Sequence, residues 1–204
     1  MKYSIKPRKD GPLMVSFEEN VLFDDAGNRI EAKSGVALCR CGASQNKPFC
    51  DGMHRKIGFS SEREIEQEKL QHYPGKKITI HFNRSICAGA ARCVQGLPEV
   101  FHSGSGENWI DPDGAEAEKI VETIKTCPSG ALSYEMEGKR FIDERKDPKI
   151  TLFKNGPYGV EAFALEETPP ATNGSKSKYT LCRCGASGNK PYCDYSHAKV
   201  DFKG

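Results

Sequence analysis

Apolar residues in this chain recur in short alternating runs rather than in long stripes. Leu13-Met-Val-Ser-Phe17, Lys77-Ile-Thr-Ile-His-Phe82 and Val160-Glu-Ala-Phe-Ala-Leu165 alternate in a way that predicts strands with one buried face. Ala131-Leu-Ser-Tyr134 and Lys139-Arg-Phe-Ile142 read as a closing pair of strands. One segment has helical spacing instead: Ala117, Ile120, Val121 and Ile124 share a face over residues 116–126. Asp10-Gly-Pro, Asp25-Ala-Gly27 and Asn155-Gly-Pro are turn signals, and the polar run Glu166–Lys178 is a loop. Residues 61–76 are dense in charge and end in Pro74-Gly75, so they read as a connecting helix or linker. The expected fold class is α+β, built from small strand-rich units.

A repeat organises these units. Leu38-Cys-Arg-Cys-Gly-Ala-Ser-Gln-Asn-Lys-Pro-Phe-Cys-Asp-Gly-Met-His54 returns as Leu181-Cys-Arg-Cys-Gly-Ala-Ser-Gly-Asn-Lys-Pro-Tyr-Cys-Asp-Tyr-Ser-His197, identical at 13 of 17 positions, which marks a duplicated module. The likeness extends upstream, where Lys9-Asp-Gly-Pro matches Lys154-Asn-Gly-Pro, and downstream to Phe59 and Phe202. The domains expected are a first module over 1–60, a linker over 61–75, a middle domain over 76–142 and a second module over 149–204. Short helices are expected after Cys50 and Cys193, with Asp51 and Asp194 as N-caps. The two end modules are expected to fold against each other, because each alone buries little core, with the middle domain as a separate lobe.

Composition sharpens the picture. Hydrophobic residues make up 37% of the chain and mean hydropathy is −0.62, low for a protein held by burial alone, so bound metal would supply part of the stability. The net charge of +2, without a dense basic patch, argues against nucleic-acid binding. Met1–Asp10 carries charges where a signal peptide needs its apolar stretch, and no run approaches the roughly 18 apolar residues of a membrane span. The chain reads as soluble and cytoplasmic, with no membrane partner, where 9 cysteines point to metal rather than disulfides.

Each repeat spells Cys-x-Cys-x8-Cys-x3-His. Cysteines two apart on an extended chain project to one centre, the loop through Asn-Lys-Pro returns the third, and a helical turn places the histidine on the same face. Zinc and a 2Fe–2S cluster both accept three thiolates and an imidazole, although structural zinc sites usually show wider Cys-x2–4-Cys spacing.

Both motifs resemble the CDGSH iron–sulfur domain of the mitoNEET family, with Ser44 and Pro48, and Ser187 and Pro191, at matching places. The resemblance implies one 2Fe–2S cluster on Cys39, Cys41, Cys50 and His54, and another on Cys182, Cys184, Cys193 and His197. It also implies that two copies in one chain pair by a pseudo-two-fold axis, so the expected state is a monomer. Met53 and Tyr195 depart from the pattern, Tyr195 standing where the signature has glycine.

The middle segment holds Cys87-Ala-Gly-Ala90-Ala-Arg-Cys93 and the remote Cys127-Pro128. Common 4Fe–4S loops read Cys-x2-Cys-x2-Cys with a remote Cys-Pro. Ala90 stands at the middle ligand's place, so three thiolates on a 3Fe–4S cluster is the simplest assignment; a 4Fe–4S cluster would need a fourth ligand from elsewhere. The stretch through Pro98-Glu-Val-Phe101 to Cys127-Pro-Ser-Gly-Ala-Leu132 resembles divergent single-cluster ferredoxins. His72, His81 and His102 read as structural or surface residues, Trp109 as core, and Gly104-Ser-Gly106 as a loop without the glycine pattern of a dinucleotide site.

The function expected is electron transfer or redox sensing, by a non-enzyme whose partner is a redox protein or an apo-acceptor of clusters. Cluster storage or delivery and a zinc-stabilised interaction module are the competing classes.

Overall fold

The computed structural model describes residues 3–104 and 106–204; Met1, Lys2 and Ser105 of the Gly104–Gly106 loop lie outside the described residues. The first module contributes β1 (Ser4–Pro7), β2 (Leu13–Ser16), β3 (Leu22–Asp24), β4 (Val36–Leu38) and helix α1 (Met53–Lys56). The middle domain holds β5 (Leu70–Pro74), β6 (Thr79–Asn83), α2 (Arg92–Gly96), α3 (Ala117–Lys125), β7 (Leu132–Met136) and β8 (Lys139–Phe141). The second module has β9 (Lys149–Leu152), β10 (Tyr158–Glu161), β11 (Ala164–Leu165), β12 (Lys178–Leu181) and α4 (Ser196–Lys199). The protein is α+β, as the apolar pattern predicts.

Each module opens with the same hairpin. Asp10 and Asn155 take left-handed φ of 47° and 52°, which aspartate and asparagine tolerate better than most residues. Gly11 and Gly156 then close the turn on the carbonyls of Arg8 and Phe153. Leu13 and Val15 point inward on β2, with Ser16 exposed between buried neighbours, so alternation decides which face is core.

The modules complete each other's sheets. One sheet runs β11-β1-β2-β4 and the other β12-β10-β9-β3. Thus β11 leaves its own module to pair in parallel with β1, through Ser4↔Ala164 and Ile5↔Leu165. Reciprocally, β3 pairs in parallel with β9, through Leu22↔Ile150 and Phe23↔Thr151. The expected run Val160–Leu165 is divided between β10 and β11 at Ala162, where φ is 54°, and that break frees β11 to cross over. At the pseudo-two-fold axis Cys41 and Cys184 form an antiparallel bridge. A Cβ on Gly42 would lie 2.5 Å from the Cys184 carbonyl oxygen, and one on Gly185 2.6 Å from that of Cys41. Tyr158 adds a buried cross-module bond, donating its hydroxyl to the Cys39 carbonyl at 2.7 Å.

The middle domain is an antiparallel sheet, β5-β6-β7-β8, with α3 laying Ala117, Ile120 and Ile124 inward. Two expectations are corrected here. The linker over 61–75 ends early: Leu70–Pro74 is β5, paired with β6 along its length, and no helix forms between 61 and 69. The charge of 61–69 dominated that stretch, whereas Leu70 and Tyr73 carry too few apolar positions to announce a strand by themselves. Nor is the middle domain a separate lobe. Asn83 donates to the Thr172 carbonyl at 2.8 Å and the amide of Asn189 donates to the Ser85 carbonyl at 2.9 Å, so the domain docks on the second module.

The glycines at the axis yield a direct test. Gly42→Ala and Gly185→Ala push a methyl into backbone that cannot swing aside, so each should cost about 2 kcal/mol or more. Gly27→Ala, at φ 88° with nothing within 4 Å, should cost only the roughly 1–2 kcal/mol of left-handed strain. Denaturation midpoints check the ranking; equal losses at all three sites would contradict the close approach at the axis.

Candidate metal centres

In each repeat the ligand loop hangs from its last strand and folds back on it. Cys39 N–H donates to the Pro48 carbonyl and Cys50 N–H to the Ala37 carbonyl, both at 2.8 Å; in the second repeat Cys182 bonds to Pro191 and Cys193 to Thr180 at 2.9 and 3.0 Å. The serine of each loop is buried and ties its ends: Ser44 Oγ donates to the Phe49 carbonyl at 2.6 Å, and Ser187 Oγ to the Tyr192 carbonyl at 2.7 Å. The arginine between the first two cysteines turns inward. Arg40 Nε donates to the Gly11 carbonyl at 2.7 Å, with a second bond to the Arg8 carbonyl, and Arg183 Nη1 donates to the Phe153 and Gly156 carbonyls at 2.9 and 3.3 Å. These arginines lock the ligand strand to the opening hairpin. Sequence reasoning missed them, although the repeated Cys-Arg-Cys beside a repeated Gly-Pro turn was the available signal.

The donors stand in pairs. Cys39 and Cys41 sulfurs lie 3.6 Å apart, and Cys50 Sγ is 3.3 Å from His54 Nδ1. The second repeat reproduces this at 3.7 Å for Cys182 and Cys184, and 3.3 Å for Cys193 and His197. Ligands at about 2.3 Å in tetrahedral geometry stand about 3.7 Å from each other, so each pair has the bite of one metal ion. Among the described residues, no three His, Cys, Asp or Glu side chains converge on a single ion position.

Asp51 and Asp194, expected as the N-caps, stand one residue before the caps that form. Gly52 and Tyr195 occupy the caps, and neither makes a side-chain capping bond. The aspartates still serve the helices: Asp51 Oδ1 accepts from Met53 N–H at 3.1 Å and Asp194 Oδ1 from Ser196 N–H at 3.0 Å. The other oxygen of each accepts from the loop, at Gln45 N–H and Gly188 N–H. A single carboxylate therefore joins the loop to the turn that carries the histidine. Burial opposes ionisation of Asp194, but the bonds from Ser196 and Gly188 outweigh it and hold its carboxyl below the usual range.

Burial pushes the Cys41 and Cys93 thiols up to about 11 and raises Cys87 and Cys193 as well. Peptide N–H groups work in the opposite sense, from Ala43 toward Cys41, Ala186 toward Cys184, Tyr195 toward Cys193, Gly89 toward Cys87 and Val94 toward Cys93. Buried sulfurs ringed by N–H donors suit thiolates whose protons a metal has displaced. The donor set and its surroundings fit a metal or cluster.

The middle cysteines also come together. Cys87, Cys93 and Cys127 line one small cavity with Ala88, Ala90, Trp109 and Ser129, so Ala90 lies on the wall of the space that the three cysteines share. Ser129, buried, has its hydroxyl 3.5 Å from Cys127 Sγ. A larger cavity of about 650 Å3 opens beside Cys87 and Cys93, with His102, Trp109 and Tyr195 on its walls. His72 and His81 face each other across β5 and β6, their Nδ1 atoms 2.6 Å apart. Trp109 packs edge-on to Phe82 at 4.8 Å between ring centres, as a core residue would.

The surroundings of the two repeat sites differ. In the first, Gln45, Asn46 and Lys47 are exposed. In the second, Asn189 and Lys190 are buried, and Lys190 Nζ reaches Glu64 at 3.1 Å. Glu68 closes this cover: its carboxylate accepts from Asn83 at 2.8 Å, Thr172 N–H at 2.7 Å and Asn189 at 3.5 Å.

The family described as "Iron-binding zinc finger CDGSH type" matches residues 10–55 and 155–198, and the one described as "Divergent 4Fe-4S mono-cluster" matches residues 73–137. The chain carries two CDGSH iron-binding domains flanking a divergent mono-cluster domain. It is an iron–sulfur protein. Over 62 residues it is 42% identical to the "Uncharacterized protein YjdI" of Escherichia coli (strain K12) and equally to that of Escherichia coli O157:H7, covering 30% of this chain and 80% of each relative. No solved structure matches it. No helix among the described residues is long and apolar enough to cross a membrane.

Glu68 offers the test of the cover over the second site. Glu68→Ala leaves three donors without their carboxylate and should cost about 2–3 kcal/mol, the scale of bonds to a buried charge. Amide exchange should rise around Thr172 and Asn189 while the Asn46 loop is unchanged. Uniform loosening of both loops would contradict the arrangement.

Proposed function

We propose that the protein carries electrons through three iron–sulfur centres: a 2Fe–2S cluster on Cys39, Cys41, Cys50 and His54, a second on Cys182, Cys184, Cys193 and His197, and a 3Fe–4S cluster on Cys87, Cys93 and Cys127. The observation that carries the reading is the pairing of donors. Two bites per repeat, each sized for one ion, suit two irons bridged by sulfide better than one zinc held by four ligands. Bound clusters would supply one-electron chemistry. The residues would supply thiolates, one neutral imidazole per repeat, and N–H donors to the sulfurs that tune the potential. Ala90 supports the three-iron assignment, since a methyl group offers a fourth iron no ligand. A role in redox sensing uses the same centres. Cluster delivery is favoured by one feature, the exposed loop of the first repeat, and would show as transfer to an apo-acceptor outpacing electron exchange.

Iron and sulfide counts with electron paramagnetic resonance test this. The protein as isolated should show an oxidised 3Fe–4S resonance while its oxidised 2Fe–2S sites are silent. Ala90→Cys should convert the middle site to a 4Fe–4S form. Four irons there in anaerobically prepared wild type would remove the three-iron assignment and direct attention to a non-cysteine ligand.

Ligand exchange tests the histidines separately. His54→Cys and His197→Cys replace a neutral donor by a thiolate, so each should lower its own site's potential and slow cluster loss in acid. Potentials that do not move in either variant would argue against histidine ligation.

A further inference from the structure

The repeats differ at one strained position. Two residues after the third cysteine stands Gly52 in the first repeat and Tyr195 in the second, both left-handed, with φ of 87° and 78°. Glycine adopts this conformation freely; for a tyrosine it is a marked outlier. At Gly52 a Cβ would meet nothing within 4 Å. Tyr195 instead lays its ring on Gly89, inside the loop between Cys87 and Cys93. A Cβ on Gly89 would fall 2.1 and 2.3 Å from ring carbons Cδ2 and Cε2, so only glycine fits beneath the ring. The same ring stands edge-on to His197, with 5.4 Å between centres. Tyr195 thus touches the loop of the middle site while sitting two residues from both Cys193 and His197. A second joint lies at the pseudo-two-fold axis, where the bridge between Cys41 and Cys184 links the loops of the two repeats. The first repeat has no counterpart of Tyr195 and leaves its loop in solvent.

From these two joints we infer that the three centres form a series in the order middle domain, second repeat, first repeat, with Tyr195 as the positioning residue between the middle and second sites. Resting on the reading of all three as iron–sulfur centres, this assigns the second repeat the internal place and the first repeat the terminal, solvent-facing one. In the step concerned, Cys87, Cys93 and Cys127 would hold the electron donor and Cys182, Cys184, Cys193 and His197 the acceptor. One electron would pass from the first to the second, oxidising the one and reducing the other, with no bond made or broken.

The test uses the full chain with metal content measured first. Cys41→Ser with Cys50→Ser empties the first repeat, and Cys184→Ser with Cys193→Ser empties the second. With the protein poised so that remaining centres are paramagnetic, the middle site's resonance should keep its spin–spin broadening when the first repeat is empty and lose it when the second is. In wild type, an electron injected by flash photoreduction should redistribute from the middle site to the second repeat in a fast phase. Tyr195→Gly, which restores the first repeat's residue, should lose that phase with all three sites loaded and the middle potential unchanged; Tyr195→Phe should retain it. Broadening that survives emptying of the second repeat, or a fast phase that survives Tyr195→Gly, overturns the series and the role of Tyr195 respectively. Loaded protein with either result defeats this inference alone; protein without iron at the repeats defeats the functional reading and this with it.

Discussion

The structure depends on the reciprocal exchange of β3 and β11 across the pseudo-two-fold axis. Each repeat keeps only a hairpin and one further strand in its own sheet, too little surface to bury a core alone. By lending its third strand to the other's sheet edge, each supplies the parallel partner that the other lacks. The exchange brings Cys41 and Cys184 into backbone contact and forces glycine at positions 42 and 185. Both ligand loops are therefore hung from strands whose sheets exist only when the repeats are together. Ligand geometry, sheet closure and pairing of the repeats stand or fall as one.

Symmetry holds where ligation needs it and fails where the middle domain arrives. Cysteine pairs, buried serines, inward arginines and loop-tying aspartates appear twice with nearly the same distances. The inserted domain and the 61–69 segment then cover only the second loop, through Glu68, Asn189 and Lys190. The repeat with its one-sided burial leaves two copies of the same donor set in different dielectric surroundings, which would give clusters held there different potentials.

Much of this was legible in the sequence because the signals were local. The Cys-x-Cys-x8-Cys-x3-His spacing identified the donors that the structure brings together, the 3.6-residue period of Ala117, Ile120 and Ile124 marked α3, and Cys87, Cys93 and Cys127 were recognisable as one set. The strand exchange was not legible, since alternation in Leu22–Asp24 or Ala164–Leu165 says that a strand forms but not which edge it joins. β5 was hidden by the charge preceding it. The place of Asp51 and Asp194 was misjudged by one residue because a left-handed Gly52 or Tyr195 intervenes. The docking of the middle domain rests on single polar contacts from Asn83, Asn189 and Glu68, residue types that composition assigns to the surface.

Native mass spectrometry of anaerobically purified protein tests the central claim most directly, because it reads chain number and cluster content in one spectrum. The account predicts a single chain carrying two irons and two sulfides for each repeat together with a third cluster, without dimerisation. A chain that carries one zinc per repeat, or that loads its repeat sites only as a dimer, would contradict it.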